Sequence, residues 1–262
     1  MRLLDIKTVQ TNVIKTLVEA LKDILTDANI EFSDTGMKIV AMDSTKTILV
    51  HLILHANKFD KYECKKKTIV GISMTYLFKL IKIITNSDTL TFTMNEDNMN
   101  VLEIIVENGE KNTITKMELN LMDLNEETID IPPQEFDSII TMPSPDFQKV
   151  CRDMSNLSDI MEIKSIGSQL VFSCKGDFAK LTTVFGSTED GVNFKKESEA
   201  TNIIQGYYNL KHLVLFTKCT NLCNSVEIYM KNNFPIVITF SVGTLGKLRL
   251  ALAPKKLHEN EI

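Results

Sequence analysis

Four amphipathic segments interrupt a chain that otherwise alternates apolar and polar residues, and they recur at nearly regular intervals. They are residues 9–25, 73–85, 143–156 and 207–219. Corresponding basic residues of the first and third segments lie 134 positions apart, and those of the second and fourth lie 132 apart. Because a fixed period indicates repeated supersecondary units, the spacing predicts two copies of a unit that contains two β-rich modules with one helix each.

The first segment has the clearest helical period, with apolar residues at i, i+3, i+4 and i+7. Its predicted buried stripe is Val13, Ile14, Leu17, Val18, Leu21, Ile24 and Leu25. The other three helices have plausible caps at Ser73, Ser144 and Asn209, and Pro143 and Pro145 suit a first turn. We therefore expect four helices.

Between the helices the hydrophobic period changes to two, and β-branched residues become frequent, which is typical of strands. Ten runs show this pattern: 36–43, 47–54, 89–94, 101–107, 114–124, 169–174, 179–186, 225–230, 235–242 and 248–254. The chain is therefore predicted to be α+β, with two topologically similar domains that each contain two β-α-β-rich modules.

The two copies meet around residues 121–136, where strand-like alternation gives way to an acidic stretch and then to Pro132 and Pro133. This is the best linker candidate in the chain. We expect an amino-terminal domain at 1–120, an interdomain connector at 121–135 and a carboxy-terminal domain at 136–262. The acidic run Glu126–Glu127 is interpreted as part of a solvated connector.

Each helical segment carries two basic residues, spaced three or seven positions apart, so that both lie on one side of a helix. The pairs are Lys15 and Lys22, Lys79 and Lys82, Lys149 and Arg152, and Lys211 and Lys218. The four segments together carry a charge of +4, whereas the rest of the chain carries −9. This distribution favours contact with a polyanion on the helical side and repulsion elsewhere.

The sequence offers no positive sign of catalysis. Phosphate-binding glycine loops are missing, and the four histidines form no catalytic or metal-ligating pattern. Five scattered cysteines are interpreted as reduced thiols of an intracellular protein. With no apolar run of 18 residues and no signal sequence, we expect neither secretion nor a membrane contact. No enzyme activity, metal or cofactor is predicted.

Several runs resemble the eukaryotic-type DNA sliding clamps, the proliferating cell nuclear antigen family. The similar runs are LVEALKDIL (17–25), IVAMDSTKTILVHLIL (39–54), NLMDLNEETIDIP (120–132), MPSPDFQKVCRDMSNLSD (142–159), LFTKCT (215–220) and LAPK (252–255). They cover nearly the whole chain in the family's order. Departures from the family pattern, with richness in Ile, Lys and Asn, are typical of an AT-rich protist or a large DNA virus.

The resemblance implies a ring of three chains joined head to tail, with helices lining the hole and curved sheets outside. The family's DNA-facing positions correspond to Lys15, Lys22, Lys79, Lys82, Lys149, Arg152, Lys211 and Lys218, and all are still basic here. Contacts from these residues to phosphates carry no sequence information, so such a ring could slide on duplex DNA.

The resemblance also implies an apolar surface that takes a partner peptide of the type Q-x-x-h-x-x-a-a, where h is aliphatic and a is aromatic. The corresponding positions are Met42, Thr47, Leu49, Ile129, Ile131, Pro235, Ala251, Ala253 and Pro254. Thr47 replaces a usually aliphatic residue, and Ala251 stands where an aromatic residue is common. These two departures predict an altered preference among partner motifs.

In the family, chains join edge strand to edge strand. The corresponding segments are 112–119 and 177–184, and the resemblance assigns the contact to Thr113, Thr115, Met117, Phe178, Lys180 and Thr182. The loop that carries the family's modified lysine corresponds to 166–168, which contains no lysine. Lys164 is expected in the preceding strand, so ubiquitin or SUMO attachment of the family type is not expected there.

The implied function is that of a DNA polymerase processivity factor in replication and repair. Its partners would be double-stranded DNA, polymerase and other motif-bearing proteins, a clamp loader and two further copies of itself, in the nucleus or at a site of viral DNA replication. One alternative is a subunit of a hetero-oligomeric or DNA-assembled clamp, of viral accessory or checkpoint type. Another is a DNA-modifying enzyme, against which the lack of clustered carboxylates argues.

Overall fold

A computed structural model describes residues 1–124, 129–197 and 202–256. Within them the chain forms 18 strands and four α-helices. In chain order these are β1 (Arg2–Thr8), α1 (Thr11–Leu21), β2 (Asp27–Ser33), β3 (Gly36–Met42), β4 (Ile48–His55), β5 (Lys61–Cys64), β6 (Thr68–Ser73), α2 (Met74–Ile81), β7 (Asp88–Asn95), β8 (Asn98–Asn108), β9 (Thr113–Asn120), β10 (Ser138–Pro143), α3 (Ser144–Ser155), β11 (Ile160–Ile166), β12 (Gln169–Lys175), β13 (Lys180–Gly186), β14 (Asn193–Lys196), β15 (Ile204–Asn209), α4 (Leu210–Phe216), β16 (Ser225–Met230), β17 (Ile236–Val242) and β18 (Gly246–Leu252).

The chain divides into two compact units. The first contains Met1–Ser44, Val50–Asp130 and Ser241–Leu248, and the second contains Thr45–Leu49, Ile131–Phe240 and Arg249–Ile262. The first two residues of β4 therefore belong to the second unit, whereas the end of β17 and the first half of β18 belong to the first unit. The fold is mixed α+β with few helices and large antiparallel sheets, as the sequence predicted.

The first unit holds a five-stranded sheet in the order β5-β1-β7-β8-β9 and the strands β4-β3-β2-β6 of a second sheet. Helices α1 and α2 pack against each other, and α1 also contacts β7 while α2 contacts β2 and β6. The buried side of α1 presents Ile14, Leu17 and Leu21 to this core. An apolar cavity of about 40 Å³ remains beside them, lined by side chains from both helices and several strands.

The second unit repeats the plan. A four-stranded sheet has the order β13-β12-β11-β15, and a further set of strands has the order β14-β10-β16-β17. Helices α3 and α4 pack against each other, and α3 contacts β10, β12 and β16. Phe147 and Met154 of α3 and Phe216 of α4 are completely buried. Each unit thus supports one pair of helices on its sheets.

The helices are shorter than the predicted segments. Helix α1 ends at Leu21, so Ile24 and Leu25 follow it, yet both are buried as the stripe required. Helix α4 ends at Phe216 and continues as a 3₁₀ helix over Thr217–Leu222. The prediction of one continuous helix over 207–219 was therefore wrong at its carboxy-terminal end, and Lys218 lies on the 3₁₀ segment.

The predicted caps differ in outcome. Asn209 caps α4, because its side-chain oxygen accepts a 2.9 Å hydrogen bond from the Lys211 N–H. Ser73 occupies the cap position of α2 without a capping hydrogen bond. Ser144 is the first residue of α3 and donates its hydroxyl to the Cys223 carbonyl oxygen, so its assignment as a cap was wrong.

All ten predicted strands are present, but strand β1 had no clear signal. It lies between β5 and β7, and Leu3, Leu4 and Ile6 are all buried. Because both faces of β1 are covered, its residues do not alternate between apolar and polar. Strands β2, β5, β6, β10, β14 and β15 were also missed. Strands β5 and β14 have only four residues, too few for a reliable period, and β6, β10 and β15 run directly into helices.

Candidate functional site

Two lysines connect the helix pair of the first unit: Lys15 of α1 and Lys22, which directly follows α1. The Lys15 ammonium group donates a 2.9 Å hydrogen bond to the Ile84 carbonyl oxygen, just beyond α2. At the end of α1, the Lys22 ammonium group lies 5.1 Å from the centroid of the Phe78 ring in α2. It also forms a 2.8 Å ion pair with Asp23. Both lysines are therefore half-buried and engaged within the chain.

The other six basic residues of the helical segments are exposed. Lys79 lies in the last turn of α2, and Lys82 directly follows the helix. In the second unit, Lys149 and Arg152 lie on α3, Lys211 lies on α4, and Lys218 lies on the 3₁₀ segment. The eight predicted DNA-facing residues thus divide into six exposed cations and two that are half-buried.

The helix pair of the second unit is joined by an uncharged contact. The Gln148 side-chain amide donates a 3.3 Å hydrogen bond to the Thr217 carbonyl oxygen. This contact corresponds in position to that of Lys15 with Ile84, because it also ties the first helix of a pair to the backbone after the second. Since Gln148 takes this role, the neighbouring Lys149 keeps its charge in solvent.

None of the nine residues assigned to the partner surface belongs to the buried core. Met42 and Ile131 are 42% and 37% exposed, and the other seven range from half-buried to exposed. In β18, Leu250 and Leu252 point into the core, so Ala251 between them faces outward. Met42 and Ile129 belong to the first unit, and the other seven belong to the second.

Backbone hydrogen bonds fix the carboxy-terminal part of this set within the second unit. The Ala253 N–H donates to the Thr47 carbonyl oxygen at 3.1 Å, and the Lys255 N–H donates to the Tyr207 carbonyl oxygen at 2.7 Å. Hydrogen bonding to Glu162 raises the pKa of Tyr207 to about 12.

The start of the connector is docked on the first unit. The Leu121 N–H donates to the Asn100 carbonyl oxygen, and the Met122 N–H donates to the Gly71 carbonyl oxygen, each at 2.8 Å. The Asn29 side-chain amide donates a 3.2 Å hydrogen bond to the Leu124 carbonyl oxygen. Glu126 and Glu127 lie outside the described residues.

A pocket of about 360 Å³ lies beside this docked segment. Its walls come from β2, β3 and β6 on one side and from Met122, Asp123 and Leu124 on the other. Glu31 and Lys38 give it charges of both signs, and Glu31 also pairs with Lys67 at 3.0 Å. The sequence analysis did not predict this pocket.

Both segments assigned to the chain contact lie at sheet edges. Strand β9 is the last strand of its sheet in the first unit, and β13 is the first strand of its sheet in the second. Thr113, Thr115, Lys180 and Thr182 are partly or largely exposed along these edges. Phe178, in the turn before β13, is completely exposed.

No group of three or more His, Cys, Asp or Glu side chains in residues 1–124, 129–197 and 202–256 is placed to hold a metal ion. No helix in these ranges has the length and apolar character needed to cross a membrane. Lys164 lies in β11, as expected, and pairs with Glu162 at 2.9 Å.

Sequence reasoning missed two features: the glycine against which the connector packs and an exposed aromatic side chain on α2. Gly71 lies between Val70 and Ile72 in β6, and a glycine within a strand can signal a close backbone approach. Tyr76, on α2, is 60% exposed among the basic residues and was not singled out. The sequence does show a tyrosine three and six residues before two lysines of the same segment, and this pattern could have drawn attention to it.

Comparison with known proteins agrees with these observations. The chain matches the family model "Proliferating cell nuclear antigen, N-terminal domain" over residues 3–128 and "Proliferating cell nuclear antigen, C-terminal domain" over 130–255. It is 34% identical to a probable DNA polymerase sliding clamp 1 of Paramecium bursaria Chlorella virus 1, covering 96% of this chain and 97% of the relative. It is 32% identical to a proliferating cell nuclear antigen of Chaetomium thermophilum, covering 97% and 98% respectively.

Proposed function

The chain belongs to the proliferating cell nuclear antigen family, and on that basis we propose that it is a DNA polymerase processivity factor whose three copies close into a ring around duplex DNA. The ring does no chemistry itself. It keeps polymerase and other proteins on DNA by topology, so its contacts to DNA need not be strong. The observation that carries the proposal is that a helix pair with exposed cations recurs in each of two family-type units.

The DNA contact is made to phosphates. The six exposed cations bring positive charge to the helices of a chain whose net charge is −5. Each cation that neutralises a phosphate releases a counterion, which makes the affinity depend steeply on salt. Lys15 and Lys22 contribute mainly by holding α1 to α2, because their ammonium groups already have partners. None of these contacts reads base sequence.

Partner proteins bind through short peptides with an aliphatic and two aromatic anchors. The outward-facing Ala251, with Thr47, Leu49, Pro235 and Pro254, offers them an accessible surface whose side chains are small or apolar. Burying two such anchors yields roughly 3 to 6 kcal/mol before the costs of ordering the peptide. This range suits exchangeable partners, including polymerase and, at the stage of ring opening, a clamp loader.

Self-assembly uses the two free sheet edges. Strand β9 of one chain pairs with β13 of the next, which satisfies backbone groups that would otherwise remain unpaired at both edges. Because the two edges differ, the contact is head to tail and closes only when the rotation completes a ring. Such a ring acts where DNA is copied, in the nucleus or at a site of viral replication.

The first test is sedimentation equilibrium of the purified chain over a range of concentrations, without DNA. A mass near three times 29.6 kDa that persists on dilution supports a self-sufficient ring. A monomer at every concentration would contradict it and favour a clamp assembled with another chain or on DNA. The second test compares retention on linear duplexes with open and blocked ends. A ring can thread onto a duplex with open ends but not onto one with blocked ends. A protein that binds from the side is retained equally on both duplexes.

A further inference from the structure

Tyr76 is a large aromatic side chain on the helix that carries Lys79 and Lys82. It lies in the first turn of α2 and is 60% exposed, whereas Met74, Leu77 and Ile81 of the same helix are buried. The Lys79 ammonium group is 4.6 Å from the centroid of the Tyr76 ring. Helix α2 contains no acidic residue. The ring and the cation therefore form one exposed aromatic and basic surface.

An aromatic ring beside a lysine can recognise more of a nucleic acid than its phosphates. Bases stack on aromatic side chains regardless of sequence, because every base has a flat π face. In a duplex that face is covered by the neighbouring base pairs, so a ring gains this contact only where a base is unpaired. Lys79 can hold an adjacent phosphate at the same time.

We propose that Tyr76 stacks on unpaired bases and gives this chain a preference for single-stranded stretches of DNA, such as those next to a duplex end. The inference rests on the proposed function in one respect, because α2 is among the helices assigned to DNA. It goes beyond that function, because phosphate contacts alone treat every part of a strand alike. A second copy of the chain could cover the Tyr76 side chain instead of a base, and the tests distinguish these two cases.

The absence of tryptophan from the chain makes a direct test possible. Tyr76→Trp introduces a single indole, whose fluorescence reports stacking. Met99→Trp is the matched control, since Met99 is 48% exposed on β8 and belongs to no surface discussed above. At low salt, oligothymidine is expected to quench Tyr76→Trp more strongly than a blunt duplex of equal length does, and to leave Met99→Trp unchanged. Equal quenching by both DNAs, or none, would overturn the inference.

Affinity measurements separate this inference from the proposed function. Tyr76→Ala is expected to weaken oligothymidine binding about fivefold or more, with duplex binding and the salt slope unchanged, and Tyr76→Phe should retain the affinity. Lys79→Gln should lower the salt slope for both DNAs. If only the lysine variant has an effect, the stacking role is wrong while the DNA-binding role stands. If the wild-type chain binds neither DNA, the inference fails, whereas the proposed ring is tested separately by its sedimentation mass and by open and blocked duplex ends. If Tyr76→Ala alters the sedimentation mass, the Tyr76 side chain takes part in a contact between chains, and the inference is overturned.

Discussion

Gly71 and Met122 approach each other so closely that no side chain fits between them. The Met122 N–H donates a 2.8 Å hydrogen bond to the Gly71 carbonyl oxygen, and a Cβ on Gly71 would lie 2.5 Å from the Met122 carbonyl oxygen. The connector therefore begins as a segment fixed to β6, at the edge of its sheet.

Replacing Gly71 by alanine should displace the start of the connector. The clash is with backbone, which cannot move aside as a flexible side chain can, so we expect a loss of about 1–3 kcal/mol in the free energy of unfolding. Urea denaturation measures it. Gly109→Ala is the control, because a Cβ there meets nothing within 4 Å. Equal stability of the two variants would show that the connector is not fixed by this contact.

The exposed and the engaged lysines should respond differently to substitution. Lys149→Gln is expected to reduce the slope of log affinity for duplex DNA against log salt by about 1 per lost phosphate contact, with unfolding unaffected. Lys15→Gln should instead lower stability by about 0.5–1.5 kcal/mol, because the hydrogen bond to Ile84 is lost. DNA titrations at several salt concentrations and urea unfolding measure the two effects. Lys66→Gln is the control, because Lys66 is exposed and lies outside the helices. Identical behaviour of all three variants would contradict the distinction between exposed and engaged lysines.

Asp5 should make the first unit sensitive to acid. The residue is 4% exposed, and its carboxylate accepts hydrogen bonds from Lys61 at 2.7 Å and Arg2 at 2.8 Å. Burial opposes its ionisation, but these two cations outweigh burial and lower the pKa of Asp5. The resulting stability is present above the unfolded pKa of about 4 and is lost as the pH falls through the lower folded pKa.

Urea unfolding of wild type and Asp5→Asn at pH 7 and near pH 3 measures this contribution. The difference in unfolding free energy between the two proteins should shrink at the lower pH, because protonation removes the same charge that the substitution removes. A difference that stays constant with pH would mean that the Asp5 ion pairs add no net stability.

Ala251→Tyr should strengthen binding of a peptide with the sequence type Q-x-x-h-x-x-a-a. Ala251 faces outward from β18, so a ring there adds apolar area for the peptide to cover, worth about fivefold in affinity. Isothermal titration calorimetry measures the change. Lys247→Tyr, on the same face four residues earlier, should leave the affinity unchanged. An unchanged or weakened titration for Ala251→Tyr would count against the assigned surface.

Phe178→Asp should weaken self-association without unfolding the chain. The Phe178 side chain is completely exposed. Its replacement therefore leaves the packing within the chain intact. An aspartate carboxylate buried without a partner between two chains is unfavourable. Sedimentation equilibrium should show a shift toward monomer, while the far-ultraviolet circular dichroism spectrum remains that of the folded chain. Met99→Asp, a comparable exposed change on β8, should leave the mass as it was.

The sequence allowed the helices, most strands and the basic positions to be predicted, because hydrophobic period and charge are local properties. It could not show which cations are engaged. Lys15 and Lys149 occupy corresponding positions, yet the first bonds to a carbonyl 69 residues away while Gln148 takes that role in the second unit. Such partners depend on how helices pack in space. Strand β1 was missed for a similar reason, since burial on both faces is decided by its neighbours.

The two sheet edges have a consequence for the life of a newly made chain. In the proposed ring β9 pairs with β13 of another chain, and before that pairing each edge presents a row of backbone donors and acceptors that can template the growth of unrelated sheets. Synthesis in excess of assembly should therefore lead to insoluble deposits or to proteolytic removal.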